Sequence, residues 1–424
     1  MKTIKKYICL MAVALTALQS CREEGRFELY SGDTVAPGKP TIIDWEPFFG
    51  GVIIYFQPSD DEDLLSINAE YTNVNGRTFS FAASYFTNAI TVSCMGSTDP
   101  HTVRVYAMDR TGNKSEAVPV IVRPDEPIVQ RVASTVSVKP AFGSFMVEWV
   151  NGLMADVNVY VDFSFTQNGI PKSFTQVFSS SDDSVRMFVE NLDLTHSEPV
   201  TVRARVEDYY DNSSVVVELG QIILLTDELL PKAGWSLPDT KTEIGGVPQC
   251  FGDSYEGKLR FVIDDIIDEG FIYNYMHTGS RGYNGNADDG NLPWNVLIDL
   301  GDYYELSRII THQRHYAETL LERGQYYQDE NVGIYNMYIW DEDLQQWDFV
   351  SQRKIPIPNT GNLVELLQKA RAGDFAYLYP DEPKYTKPTR WFRYEAVVGF
   401  ANDYTSILAT SLSEITLYGR KVNR

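Results

Sequence analysis

The sequence predicts an all-β protein of several sandwiches, and three observations support this. Aromatic residues make up 13% of the chain, with 26 tyrosines, a composition suited to pleated, half-buried surfaces. The segment Thr102-Val103-Arg104-Val105-Tyr106-Ala107-Met108-Asp109 recurs 99 residues later as Thr201-Val202-Arg203-Ala204-Arg205-Val206-Glu207-Asp208. In both copies small or apolar residues alternate with polar ones, the period of a half-buried strand. At 424 residues the chain exceeds what one hydrophobic core holds, so two to four domains are expected.

The first twenty residues stand apart from these domains. Lys2, Lys5 and Lys6 precede an apolar run from Tyr7 to Ala17 that is too short to span a bilayer, which takes about 20 residues. Leu18-Gln19-Ser20-Cys21 follows, with leucine at −3, a small residue at −1 and then cysteine. This resembles the signal and lipobox of bacterial lipoproteins, so residues 1–20 are expected to be removed and Cys21 lipidated. Acyl chains on its sulfur and amino group would give stable attachment to a membrane. Residues 21–36 then form a polar tether. Arg22-Glu23-Glu24 within it resembles the surface-export signal of Bacteroidetes lipoproteins, which implies the outer membrane and a face toward the cell exterior.

Residues 37–125 and 126–228 are the two repeat units. The same offset carries Asn113 onto Asn212 and Ser115 onto Ser214. Pro47, Phe49 and Gly50 find counterparts in Pro140, Phe142 and Gly143. Asp-Arg-Thr-Gly-Asn and Asp-Tyr-Tyr-Asp-Asn after the repeated strands read as hairpin turns. A unit of about one hundred residues made of short alternating strands has the size of a β-sandwich module. Both units resemble fibronectin III/Ig-like domains, with Trp149 as a core tryptophan of the second. Pro124 and Pro127 mark the junction, because proline stops strand pairing. Neither unit gathers the polar and aromatic side chains of a pocket, so both read as spacers.

Residues 229–424 carry more glycine and tryptophan. Trp294–Gly301, Leu306–Arg314, Ile334–Asp341, Trp391–Tyr394 and Leu412–Gly419 follow one another as five apolar, strand-like segments. In this order they resemble the discoidin domain, a jelly-roll β-sandwich related to galactose-binding modules. The stretch from Lys354 to Pro388 is longer than that family's usual connection, and Leu363, Leu366, Leu367 and Ala370 in it predict an amphipathic helix over 363–372. Trp294, Trp340 and Trp391 sit in strands and are expected in the core.

Sugars present C–H faces that pack on aromatic rings and hydroxyls that need planar or charged partners. The expected ligand-binding residues are therefore Tyr283 and Asn284 in a glycine-rich loop, His312, Arg314, His315 and Tyr316 after one strand, and Asn402 and Tyr404 before the last. Arg314 has a second reading, as the buried partner of an ion pair that pins its loop. The resemblance also implies a structural Ca2+ held by an early acidic loop and a late glutamate. Asp264, Asp265, Asp268 and Glu414 supply oxygen ligands that such a cation prefers, with solvated loop carboxylates as the alternative.

A net charge of −22 makes nucleic acid a poor partner. No nucleophile elbow, P-loop, dinucleotide fingerprint or zinc-protease motif occurs in the sequence. Cys94 and Cys250 fall in different predicted domains and read as single buried thiols. The architecture resembles surface lipoproteins of Bacteroidetes that accompany glycan-uptake systems. It implies non-catalytic binding of an oligosaccharide or polysaccharide, beside a neighbouring uptake-system protein. Adhesion to a protein is the competing reading, and surface glycosidase a weaker one.

Overall fold

A computed structural model describes residues 33–423 except 190–198, 241, 255, 270–271, 279–291, 318, 329–330, 401–403 and 405–410. The leader, Cys21, Tyr283, Asn284 and Asn402 lie outside the described residues. The fold is all-β, with three successive hydrophobic cores. No helix among the described residues is long and apolar enough to cross a membrane.

The first module has strands β1 (Thr41–Phe48), β2 (Gly51–Gln57), β3 (Leu64–Thr72), β4 (Thr78–Ser84), β5 (Ala89–Val92), β6 (His101–Asp109) and β7 (Val118–Val122). The second has β8 (Ser137–Ala141), β9 (Ser144–Val150), β10 (Val157–Gln167), β11 (Ile170–Ser180), β12 (Ser184–Phe188), β13 (Pro199–Asp208) and β14 (Val217–Ile223). Sheets β1-β2-β5 and β4-β3-β6-β7 recur as β8-β9-β12 and β11-β10-β13-β14, so each module repeats the same strand order.

The repeated polar residues turn out to be fasteners of the turn. The Asp109 carboxylate accepts hydrogen bonds from the Asn113 backbone N–H and side-chain amide, both at 2.8 Å. Asp208 accepts the same pair from Asn212 at 3.0 and 2.9 Å. Ser115 and Ser214 each accept a strand N–H, from Ala107 and Val206, at 2.9 Å. Gly50 and Gly143, at φ 68° and 64°, close the first hairpin of each module in a conformation that costs other residues energy. The chain leaving each module bridges to the residue before that glycine, Asp125 to Phe49 and Leu225 to Phe142.

Pro127 caps a helix not anticipated from the sequence, α1 (Ile128–Thr135), which buries Val129, Val132 and Ala133. A proline just outside the first turn suits a helix start, since its missing N–H has no partner there to lose. Trp149 lies in the second core, 2% exposed, as expected. Asn212 also joins the modules: its amide donates to the Cys94 carbonyl at 3.2 Å, and a Cβ on Gly96 would stand 2.4 Å from its oxygen. Beside it the Asn75 amide donates to the Asp211 carbonyl, and Arg77 pairs with the Asp211 carboxylate, each at 2.9 Å.

The third unit begins with β15 (Glu228–Leu229), β16 (Glu243–Ile244), β17 (Val247–Pro248) and β18 (Met276–His277). Its main strands are β19 (Trp294–His312), β20 (Val332–Asp341) and β21 (Gln346–Lys354), followed by α2 (Leu363–Ala372) and β22 (Asp374–Tyr377). It ends with β23 (Thr389–Gly399), β24 (Ser411–Leu412) and β25 (Glu414–Lys421). The ladder runs β15-β25-β19-β23-β20-β21, with β22 also paired to β19. Trp294 and Trp340 are buried, and Trp391 is half-buried.

Helix α2 forms where predicted, started by the Asn362 side chain accepting from the Val364 N–H at 3.0 Å. It buries Leu366, Leu367 and Ala370, but Leu363 points outward in the first turn. The second and third units share a small core of Ala141, Phe142 and Tyr377, closed by Phe188 against Tyr377 at 4.6 Å.

Asn212→Ala should therefore weaken two things at once, the turn of its own module and the junction with the first. The expected loss is about 1–3 kcal/mol, the cost of leaving buried polar partners unsatisfied. Asn113→Ala, which lacks the Cys94 contact, should cost less. Thermal unfolding of the two variants measures the difference.

Candidate functional site

Strand β19 and the segment just after it bring His312, Arg314, His315 and Tyr316, four of the five predicted binding residues that the structure describes, to one end of the third unit. The chain beyond it is held by Asn331, which is fully buried. The Arg314 N–H donates to the Asn331 side-chain oxygen and the Asn331 amide donates back to the Arg314 carbonyl, both at 2.9 Å. The same amide also reaches the Gln325 carbonyl at 2.8 Å. Gln313 accepts the Tyr327 N–H at 2.6 Å. These bonds fix the backbone and so decide which side chains face out.

Arg314 is buried, and its guanidinium carbon sits 4.0 Å from the Tyr275 ring centre and 4.3 Å from that of Tyr316. The result is a layered ring, cation and ring, with Tyr316 outermost and 53% exposed. Stacking of this kind is worth roughly 0.5–2 kcal/mol, enough to bias the orientation of the outer ring. Tyr316 itself has φ 36°, a left-handed conformation uncommon for a bulky residue.

The neighbouring histidines do not share this exposure. His315 is fully buried: its ring stacks on Tyr326 at 4.4 Å and 11°, its Nε2 contacts the Glu322 carbonyl at 2.8 Å, and its N–H donates to Asp268 at 3.1 Å. It packs its loop from within, and does not offer the surface platform expected of it. His312 is buried against Gly373, where a Cβ would come within 2.7 Å of its Nε2. Burial, and then the Lys232 charge, lower its pKa to about 4. His277, also buried, is brought to about 4 by desolvation and the Arg314 charge. Both rings are neutral at physiological pH. Tyr404 is half-buried, donates to the Ile355 carbonyl and lies under the Lys354 ammonium at 4.0 Å.

The four carboxylates assigned to Ca2+ do not converge on one point. Lys232 is buried and its ammonium contacts both Glu414 and Asp265, the latter at 2.9 Å. Asp264 accepts the Ile266 N–H at 3.1 Å and the Asn274 amide at 2.9 Å. Asp268 is committed to the His315 N–H at 3.1 Å. Burial still pushes Glu414 up to about 7, against the pull of Lys232. A fixed ammonium thus stands at the glutamate that a cation would need, and this donor set does not fit the metal. Among the described residues, the acidic group with oxygens within 4.8 Å of one another is Asp33, Asp63 and Asp109, in the first module.

Tyr275 and Lys232 were not identified from the sequence. Neither lies in a periodic pattern, and each acquires its role from a partner far along the chain. The two unassigned cysteines, Cys94 and Cys250, are buried free thiols with pKa values raised by desolvation.

Comparison with known proteins adds the following. A family model described as a domain of unknown function (DUF4959) matches residues 37–124. No curated protein matches the chain. Among solved structures, a SusE-like protein is similar at 16% identity, covering 70% of this chain and 100% of its own, with a TM-score of 0.36. CBM32-3 from a family 31 glycoside hydrolase of Clostridium perfringens is similar at 15% identity over 45% of this chain and 95% of its own, with a TM-score of 0.29. A two-domain fibronectin type III segment of chicken tenascin is similar at 11% identity over 44% and 99%, with a TM-score of 0.22.

With Lys232 in place, chelation by EDTA or addition of Ca2+ should leave the thermal midpoint of an Asp63→Asn variant, which lacks the first-module triad, unchanged; a calcium-dependent rise in that variant would refute the assignment. Lys232→Met should destabilise, because it strands a buried carboxylate, at a cost of about 3 kcal/mol. Protonation of Glu414 relieves that cost, so the loss should be larger near about pH 8 than near about pH 5. Melting curves of the variant at the two pH values test this.

Proposed function

We propose that this chain is a non-catalytic, glycan-binding lipoprotein of the outer surface, with its first two modules as spacers and its third as the binding module. The observation that carries the reading is the layered Tyr275, Arg314 and Tyr316 arrangement. An exposed ring held flat by a buried guanidinium is already ordered, so a ligand that stacks on it loses less freedom on binding. Its apolar face suits the C–H face of a pyranose, while the phenol and nearby backbone groups suit the hydroxyls. Lipidation at Cys21 and export to the outer face rest on the lipobox and the acidic pair after it. An uptake-system protein is the partner we place beside it.

Affinity electrophoresis of the full chain in gels containing neutral polysaccharides tests the binding. Retardation by at least one polymer is expected, with Tyr316→Ala reducing it at least about fivefold, as removal of a central aromatic contact does. Absence of retardation across a broad panel, together with capture of a single outer-membrane protein, would favour adhesion instead. Release of reducing sugar would establish a glycosidase.

Cys21→Ser should move the protein from the membrane fraction to the soluble periplasmic one. Fractionation of cells expressing each form measures this, and an unchanged distribution would contradict the lipid anchor.

A further inference from the structure

The long stretch after β21, which the discoidin resemblance leaves unexplained, folds as α2 and β22 and walls one side of a hollow of about 1200 Å3. The other wall is the second module, through Phe142 and Phe188. Small-ligand pockets span roughly 300–1,000 Å3, so the space suits a chain of several linked rings.

The alternation of β22 buries Asp374, Ala376 and Tyr377 and turns Phe375 outward, 37% exposed. Its ring meets the Tyr377 ring edge-on at 5.0 Å and 88°. Next to it, Arg353 pairs with Asp374 through two nitrogens, at 3.0 and 2.7 Å. The Tyr335 hydroxyl donates to the same carboxylate at 3.2 Å, which leaves the guanidinium pre-oriented.

Charge selects among possible ligands. Among the described residues, the hollow is lined by the charged side chains of Arg308, Arg353, Lys354 and Lys369 and by that of Asp374. Asp227 neutralises Arg308, Asp374 neutralises Arg353, and Glu365 neutralises Lys369. Among the described residues, Lys354 is the lining cation without a carboxylate partner, and its ammonium stands 4.0 Å from the Tyr404 ring. In a chain of net charge −22, a concave surface with surplus positive charge concentrates anions locally.

We infer that this cleft binds an acidic oligosaccharide, one carrying carboxylates or sulfates, with Phe375 packing on a sugar face and Lys354 meeting the anion. The inference rests on the reading of the chain as a glycan binder but uses a surface separate from Tyr316. Affinity electrophoresis of the full chain with polygalacturonate, chondroitin sulfate and neutral dextran tests it, with each variant's thermal midpoint confirming that it folds.

At least one acidic polymer should retard the protein, and the choice between the two identifies the anion. Phe375→Ala and Lys354→Gln should each weaken retention at least about fivefold. Lys354→Gln should also flatten the decline of binding with added salt. No retardation by either acidic polymer, unchanged retention in both variants, or equal retention by dextran would overturn the proposal. Loss with Phe375→Ala but not Tyr316→Ala retains the cleft and removes the exposed stack as the site. Loss with Tyr316→Ala alone does the reverse.

Discussion

Strand β19 has to change partners along its length within one sheet, and the close approach at Gly301 allows it to do so. Its first half pairs with β23 through Asp299, and its second half pairs with β25 from Tyr304 and with β22 from Arg308. Between the halves Gly301 takes φ 75°, and a Cβ there would stand 2.3 Å from the Gly234 carbonyl oxygen. Both facts require glycine. Asp299, just before the crossing, is held by the Arg390 guanidinium at 2.8 and 2.9 Å. The direction in which the strand leaves this crossing sets where His312 and Arg314 end, and hence which residue of that segment meets solvent.

A similar economy of means operates in the modules. Two polar residues of one turn hold that turn together, and in the second module one of them also reaches the first module. The Asn212 amide is bonded on one side to Asp208 and on the other to Cys94. Through the same turn, the Tyr210 carbonyl accepts from Asn73 at 3.1 Å. Polar contacts of this kind are directional, so they specify one relative placement of two sandwiches where apolar contact alone would allow several.

The all-β fold and the offset repeat were legible in the sequence because both depend on local alternation and on turn residues. The repeat even marked the residues that fasten the turns, although not how they do so. Helix α1 was not legible: eight residues after Pro127 carry too little periodicity to compete with a junction. The exposed side of the third unit was partly legible. Tyr316 stands outward as its loop position implied, while His312 and His315 are buried by contacts with Gly373, Tyr326 and Asp268, which lie 40 to 60 residues away or in folded-back loops. The four carboxylates assigned to calcium do not converge for a similar reason. Asp264, Asp265, Asp268 and Glu414 were read as oxygen ligands from their acidic side chains, whereas Lys232, whose ammonium contacts Asp265 and Glu414, comes from a segment with no acidic pattern of its own.

The stacked tyrosines and the interdomain cleft are joined through a common scaffold. His312 closes β19 and packs on Gly373, and the next residue opens β22, which carries Phe375 into the cleft. On the far side, Lys354 at the end of β21 lies over Tyr404, whose hydroxyl is bonded to the Ile355 carbonyl. Because Gly373 has φ 81° and no room for a Cβ, a change in the His312 side chain is passed to the start of β22 rather than absorbed by a loose loop. The buried neutral imidazole therefore links the packing under the Arg314 segment to the wall of the cleft, and its volume, more than its charge, is what the surrounding structure requires.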